Sequence, residues 1–107
     1  MTKQQLHNIS CEYIQFLTDL GVHPLEENSD VFNRFIDQHQ VFITHRDDID
    51  GYCLLMLDKI QKMVDVDVMW DKANRWIGFV QAMLCQRGYF SINQLREHTR
   101  SGTLKQN

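Results

Sequence analysis

Two sets of side chains in this sequence have types and spacings that could bind a metal ion. His7 and Cys11 lie four residues apart in a segment with helical periodicity, so both side chains would face the same way. Zinc takes three or four ligands and no second matching pair is present, so these residues form half of a zinc site at most. Asp47, Asp48 and Asp50 could hold magnesium, but the helix dipole also favours acids at a helix N-terminus. We therefore expect no metal and no cofactor.

The motifs of several enzyme classes are missing from the sequence. It contains neither a glycine-rich phosphate loop nor a Gly-x-Ser-x-Gly motif. All-α nucleotide pyrophosphohydrolases are also small, acidic and helical, but they hold magnesium with Glu-x-x-Glu and Glu-x-x-Asp pairs on facing helices. The one such spacing in this chain, Glu27 with Asp30, falls in a predicted polar loop. A Cys–His nucleophile stays open as an alternative, although each cysteine lies where a small apolar residue would serve. We expect the protein not to be an enzyme.

The composition is typical of one globular domain. Hydrophobic residues make up 43% and charged residues 23% of the 107 residues, which argues against disorder. The first residues lack the apolar run of a signal peptide, and no stretch is long and apolar enough to span a membrane. The 3 cysteines are an odd number and lie far apart, so we expect reduced thiols in a cytoplasmic protein.

Apolar residues recur at three- and four-residue steps through most of the chain, and period-2 alternation is absent. The pattern predicts an all-α fold, a compact bundle of four to five helices with mostly antiparallel neighbours, in a single domain over residues 1–102. Residues 40–43 are the one candidate for extended structure and are interpreted as a connector. Residues 103–107 are expected to form a flexible tail. The predicted helices cover about residues 3–20, 31–36, 44 or 47 to 64, 68–87 and 91–99.

Glycines and capping residues mark several helix ends. Gly21 and Gly88 stand where helices favour a left-handed residue. Ser91 and Gln94 have the spacing of a capping box, in which each residue's side chain accepts a hydrogen bond from the other's backbone N–H. Thr44 and Asp47 have the same spacing with an acid in place of the usual Glu or Gln, and predict the start of the third helix there. A short last helix, ended by Gly102, is therefore expected.

Charge is divided unevenly between the two ends of the chain. Residues 1–68 carry twelve acidic and five basic side chains, and residues 69–107 carry two acidic and six basic ones. A basic end typically meets something negative, which is either a nucleic acid or an acidic protein surface. Because the whole chain has a net charge of −3, its acidic end would repel nucleic acid.

The predicted arrangement of a long helix, a glycine turn and a short helix suggests a DNA-binding helix-turn-helix. The residue types do not fit that motif when Gly88 is taken as the turn glycine. Leu84 stands where a small residue is expected, Arg87 where an apolar one is, and Gln94 falls on the buried position instead of Leu95. These mismatches favour a protein-binding role, with nucleic-acid binding as the alternative.

The C-terminal third contains the stretches NRWIGFVQ (residues 74–81), GYFS (88–91) and LREHTR (95–100). In these stretches the chain resembles the C-terminal part of small uncharacterised proteins encoded by phages and other mobile elements. The resemblance implies a small accessory protein that binds and modulates a host or defence component. It assigns no site residues.

Several apolar or small residues lie where a single core does not require them. Leu54 and Leu55 fall outside the apolar stripe of the third helix. On the fourth helix, Gly78 costs about 1 kcal/mol relative to alanine and lies opposite the core side, with Ala82 one turn on. Such small residues let another helix approach closely, either in a dimer or within a bundle that surrounds this helix on all sides.

These observations predict a cytoplasmic, non-enzymatic module that binds another protein and also itself as a homodimer. The partner-binding surface is expected on the outer side of the fourth helix and on the last helix. Its predicted residues are Arg75, Gly78, Ala82, Arg96 and Arg100. The alternative function is a nucleic-acid-binding regulator that uses the same basic face.

Overall fold

The computed structural model describes residues 1–105 and confirms the all-α class. The described residues are 73% helical and contain no strand. Its α-helices are α1 (Lys3–Asp19), α2 (Asp30–Asp37), α3 (Val41–Thr44), α4 (Ile49–Met63), α5 (Trp70–Gln86) and α6 (Ile92–Ser101). Two 3₁₀ turns, Arg46–Asp48 and Asp67–Met69, lead into α4 and α5. No helix among the described residues is long and apolar enough to cross a membrane.

The central helix α4 runs antiparallel to both α1 and α5. Near the end of α4, the Gln61 side-chain amide donates to the His7 carbonyl near the start of α1, at 3.0 Å. At the other end of α4, Asp50 pairs with Arg87, which follows α5. The shorter α6 packs against α1 and α5. Fully buried side chains from the three long helices form the core, among them Leu6, Ile9, Tyr13, Leu17, Cys53, Leu57, Ile60, Ala73, Val80 and Leu84.

The ends of α1 and α5 follow the glycine signals in the sequence. Gly21 and Gly88 have φ angles of 85° and 83°, in the left-handed region that glycine adopts without strain. After each glycine, the next backbone N–H bonds back to a carbonyl in the last turn, with Tyr89 donating to Leu84 at 3.1 Å. This is the Schellman arrangement, and it turns the chain sharply at both helix ends.

The prediction for residues 40–43 is wrong, because residues 41–44 form the single helical turn α3. Gln40 adopts a left-handed φ of 62°, and this places Val41 in the core at the start of the turn. The predicted capping box is also absent, since the Thr44 hydroxyl donates to the Gln40 carbonyl at 3.2 Å. The long helix therefore begins at Ile49, after the 3₁₀ turn.

The interpretation of Leu54 as a surface residue is also wrong. Leu54 is only 6% exposed, and Leu55 is half-buried. The segment after α1 crosses back over α4, where the Leu25 N–H donates to the Gly51 carbonyl at 3.1 Å. A Cβ on Gly51 would lie 2.9 Å from the His23 carbonyl oxygen, so this close crossing needs a glycine. The chain itself covers this side of α4.

The segment after α6 makes polar contacts with α1. The Glu12 carboxylate accepts hydrogen bonds from the Thr103 hydroxyl at 2.9 Å and from the Leu104 N–H at 2.5 Å. The flexible tail predicted for residues 103–107 stays a prediction, and residues 106 and 107 lie outside the described part.

Candidate functional site

The outer face of α5 is open to solvent along its length. Arg75, Gly78 and Ala82 are all exposed, and they follow one another at three- and four-residue steps on the side away from the core. A Cβ added to Gly78 would meet nothing within 4 Å. No other part of the described chain covers this strip, so the alternative in which the bundle surrounds α5 on all sides does not apply here.

Two large apolar side chains border the same face. Ile43 on α3 is 76% exposed, and Phe79 on α5 is 38% exposed. The ring of Phe42 packs against Phe79 with 5.8 Å between centroids, which ties α3 to the edge of α5. Beside them, Gln86 of α5 helps to line a shallow depression of about 210 Å³. Exposed apolar residues rimmed by polar ones are typical of protein-binding surfaces.

Ile43 was not predicted to lie at a binding surface, since residues 40–43 were interpreted as a connector. The available signal was the apolar run Val41-Phe42-Ile43. In a single helical turn consecutive residues point about 100° apart, so the three side chains cannot all face the core. Val41 is buried, Phe42 is half-buried and Ile43 is exposed.

The two predicted arginines of α6 have different surroundings. Arg96 lines a groove of about 330 Å³ between α6 and α5, together with Ile92 and Gln81. Arg100 turns away from this groove, and its Nε donates to Glu97 on the same helix at 3.1 Å. Arg96 therefore lies next to the exposed face of α5, whereas Arg100 is already paired with Glu97. Both side chains are exposed, as the predicted binding role requires.

Several basic side chains of residues 69–105 already have partners. The Nε of Arg87 lies 2.9 Å from an Asp50 carboxylate oxygen, and Arg100 pairs with Glu97. Lys72 Nζ lies 5.0 Å from the centre of an indole ring, within range of a cation–π contact. Part of the charge asymmetry in the sequence is thus neutralised inside the chain. The basic surface left for a partner is smaller than the sequence suggests.

The pair Asp50–Arg87 is stabilised by the turn that ends α5. Because Gly88 reverses the chain, Arg87 and Tyr89 both reach the same carboxylate at the start of α4. Asp50 is nearly buried, and the guanidinium and the tyrosine hydroxyl both donate to it. The paired carboxylate raises the pKa of Arg87 above its ordinary value, mainly through the hydrogen bond.

The position of α6 is fixed by caps at both ends. The Ser91 hydroxyl accepts from the Gln94 N–H at 3.1 Å, and the Gln94 side chain accepts from the Ser91 N–H at 2.8 Å. The predicted capping box is confirmed. Gly102 ends the helix with a left-handed φ of 74°. Of the ten residues of α6, only Leu95 and His98 are buried.

The structure brings no further ligand to the candidate metal residues. His7 Nε2 lies 3.8 Å from Cys11 Sγ. The described residues contain no group of three or more His, Cys, Asp or Glu side chains that could hold a metal ion. Cys53 is fully buried, and burial raises the pKa of its thiol to about 12. That thiol is therefore protonated at neutral pH, which makes it a poor nucleophile.

Comparisons with protein-family models, curated proteins and solved structures found no match for this chain. The resemblance of the C-terminal third to phage and mobile-element proteins therefore stays a prediction.

The open strip on α5 leads to a stability prediction. Replacing Gly78 by alanine is expected to raise the free energy of unfolding by about 0.5–1 kcal/mol, because alanine loses less backbone freedom in a helix. The added methyl group meets no atom of the described residues, so no clash offsets this gain. Urea denaturation followed by circular dichroism measures the difference. A Gly78→Ala variant that is destabilised at a protein concentration too low for self-association would contradict an open face at this position.

Proposed function

We propose that this chain is a non-enzymatic protein-binding module whose partner packs a helix across the outer face of α5. The observation that carries the proposal is the uncovered strip of Gly78 and Ala82 beside the exposed side chains of Ile43 and Phe79. A glycine inside a helix costs stability, and nothing among residues 1–105 uses the space that Gly78 leaves. Close approach of a second helix backbone is a use that would repay this cost.

The first partner to consider is a second copy of the chain. Arg75 and Arg96 at this surface form no ion pair within the described residues, so they are free to meet carboxylates. The N-terminal half of the chain carries an excess of acidic side chains, which a second copy would supply. A contact in which these arginines of each copy meet acidic side chains of the other would give a two-fold dimer. The resemblance to mobile-element proteins adds the prediction of a host or defence protein as a further partner.

Self-association is tested by light scattering coupled to gel filtration at tens of micromolar protein. We expect a dimer mass for the wild type, and at least an about tenfold weaker dimer for Ala82→Lys, because a lysine adds to the positive charge of Arg75 and Arg96 and fills the space that close helix approach needs. Gln4→Lys is the matched control, since Gln4 is exposed on α1 and lies beside Lys3, His7 and Asp65. A monomer mass for the wild type at both low and moderate salt would refute self-association.

Gly78→Ala separates a binding role from a purely structural one. The added methyl group is expected to stabilise the monomer and at the same time to weaken the dimer, since it occupies the space needed for close approach. A more stable monomer together with a weaker dimer would indicate that the space at position 78 is used by a partner. An equally strong dimer in Gly78→Ala would place the contact elsewhere.

The nucleic-acid alternative is tested by titrating labelled duplex and single-stranded DNA at about 50 mM salt, where phosphate contacts are strongest. The internal partners of Arg87 and Arg100 argue against it, because they reduce the charge available to phosphates. We expect no binding at micromolar protein. Binding that weakens steeply with salt would favour the alternative, because each phosphate contact releases counterions.

A further inference from the structure

The imidazole of His98 is the one buried histidine side chain among the described residues, and it connects α6 to α1. It is only 3% exposed. Its Nδ1 lies 2.8 Å from the Tyr13 hydroxyl. The ring of Phe90 is nearly perpendicular to the imidazole, with 4.9 Å between the ring centroids. His98 and Leu95 are the only buried residues of α6, so this contact is a large part of what holds the helix in place.

The hydrogen bonds around the Tyr13 hydroxyl favour a neutral imidazole. The side-chain amide of Gln81 donates to the Tyr13 oxygen at 3.2 Å, so the hydroxyl proton is free to point at His98 Nδ1. An unprotonated Nδ1 accepts this proton, whereas a protonated Nδ1 has no lone pair to offer. Protonation would therefore break the bond between the two rings or force the hydroxyl to turn.

Two carboxylates face the imidazole and act in the opposite direction. Glu12 on α1 and Glu97 on α6 both favour a charged His98, while α5 contributes only the neutral Gln81. Burial is the larger effect, and it lowers the pKa of His98 below its ordinary value of 6.5. The oxygens of Glu12 are also engaged by Thr103 and Leu104.

From this geometry we infer that α6 is a pH-sensitive element, which separates from α1 and α5 when His98 takes up a proton at mildly acidic pH. A ten-residue helix has little stability of its own in water, so release of its buried side chains also unfolds it. Arg96 would then leave the groove beside α5. This last consequence, loss of partner binding at acidic pH, rests on the proposed function, whereas the release of α6 does not.

The sign of the pH dependence follows from the two states. In the released state His98 titrates near its ordinary pKa of about 6.5, and in the docked state its pKa is lower. Docking is therefore fully stable above about pH 6.5 and weakens as the pH falls through the interval between the two pKa values. Within that interval the equilibrium constant for release rises by up to about tenfold per pH unit, the limit for one proton.

Hydrogen exchange resolved by helix tests the inference on the wild-type protein between pH 7.5 and pH 5. Protection factors are compared, since intrinsic exchange rates also change with pH. We expect α6 to lose protection relative to α4 in the wild type and in the control His39→Gln, which alters an exposed histidine. His98→Gln keeps an acceptor for Tyr13 but does not titrate, so its α6 should show no such loss.

Unchanged protection of α6, or an equal loss in every helix, would overturn the inference. If His98→Gln fails to fold, an NMR titration of the wild-type imidazoles decides instead. A pKa of His98 at or above the ordinary histidine value of 6.5 would overturn the inference, and a lower one accompanied by loss of α6 protection would support it. Exchange requires no partner, so a monomer in light scattering would refute self-association and leave this result standing.

Discussion

Replacing Arg87 by methionine is expected to lower the free energy of unfolding by about 3 kcal/mol, because it leaves a nearly buried carboxylate without its cation. Asp50 is only 6% exposed, and Arg87 approaches it through two guanidinium nitrogens at 2.9 and 3.4 Å. Methionine preserves most of the apolar length of the side chain, so the loss is mainly one of charge and hydrogen bonds. Chemical denaturation at neutral pH measures it.

The same substitution at Arg100 is the matched control. Arg100 and Glu97 also form an ion pair, but both side chains are well exposed to solvent. Exposed pairs contribute about 0–1 kcal/mol, so Arg100→Met should leave the unfolding free energy nearly unchanged. Similar losses for the two variants would show that the surroundings of Asp50 do not matter.

A double variant isolates the interaction between the two charges. In Asp50→Asn with Arg87→Met, the amide still accepts a hydrogen bond from Tyr89, and no buried charge remains. We expect the double variant to be more stable than Arg87→Met alone, with a coupling of about 1–3 kcal/mol. Additive losses would contradict the proposed role of the ion pair.

Local signals made much of the fold predictable. The capping box of Ser91 and Gln94 and the glycines at 21, 88 and 102 act through bonds between residues a few positions apart. Such signals are readable in the sequence because the partners are neighbours in the chain. The apolar periodicity identified the long helices for the same reason.

The two errors have different causes, a contact that crosses the fold and an uncommon backbone conformation. Leu54 looked like a surface residue because the segment that covers it, around Leu25, is distant in sequence and has no pattern that points to α4. The turn at Val41–Thr44 depends on a left-handed glutamine at position 40, a conformation that is uncommon outside glycine, asparagine and aspartate.

The candidate site was predictable only in part. Helical periodicity placed Gly78 and Ala82 on the outer side of their helix, and both are exposed. The internal pairing of Arg87 could not be read from the sequence, since Asp50 is thirty-seven positions away. The same holds for His98 and Tyr13, which are eighty-five positions apart. Because Arg87 is paired with Asp50, the net charge counted by segment overstated the basic surface.

Replacing Leu95 by alanine is expected to lower the free energy of unfolding by about 2–3 kcal/mol, the lower part of the range for a buried leucine. Leu95 is 9% exposed and is, with His98, one of the two buried side chains of α6. A helix this short depends on such contacts, because nucleation is costly and few backbone hydrogen bonds follow. Thermal and urea denaturation measure the loss. Loss of the cap in Ser91→Ala should cost less, about 1 kcal/mol.

Ile92→Ala is the control for Leu95→Ala, since it removes a large aliphatic side chain from the same helix at a position that is 60% exposed. It should change the unfolding free energy little. Arg96→Ala should also leave folding unchanged while weakening the dimer, because its guanidinium lies at the groove beside α5. If Leu95→Ala unfolds like the wild type, α6 is not docked as described. The surface would then be reduced to the face of α5 around Gly78, and the release of α6 by protonation of His98 would lose its structural basis.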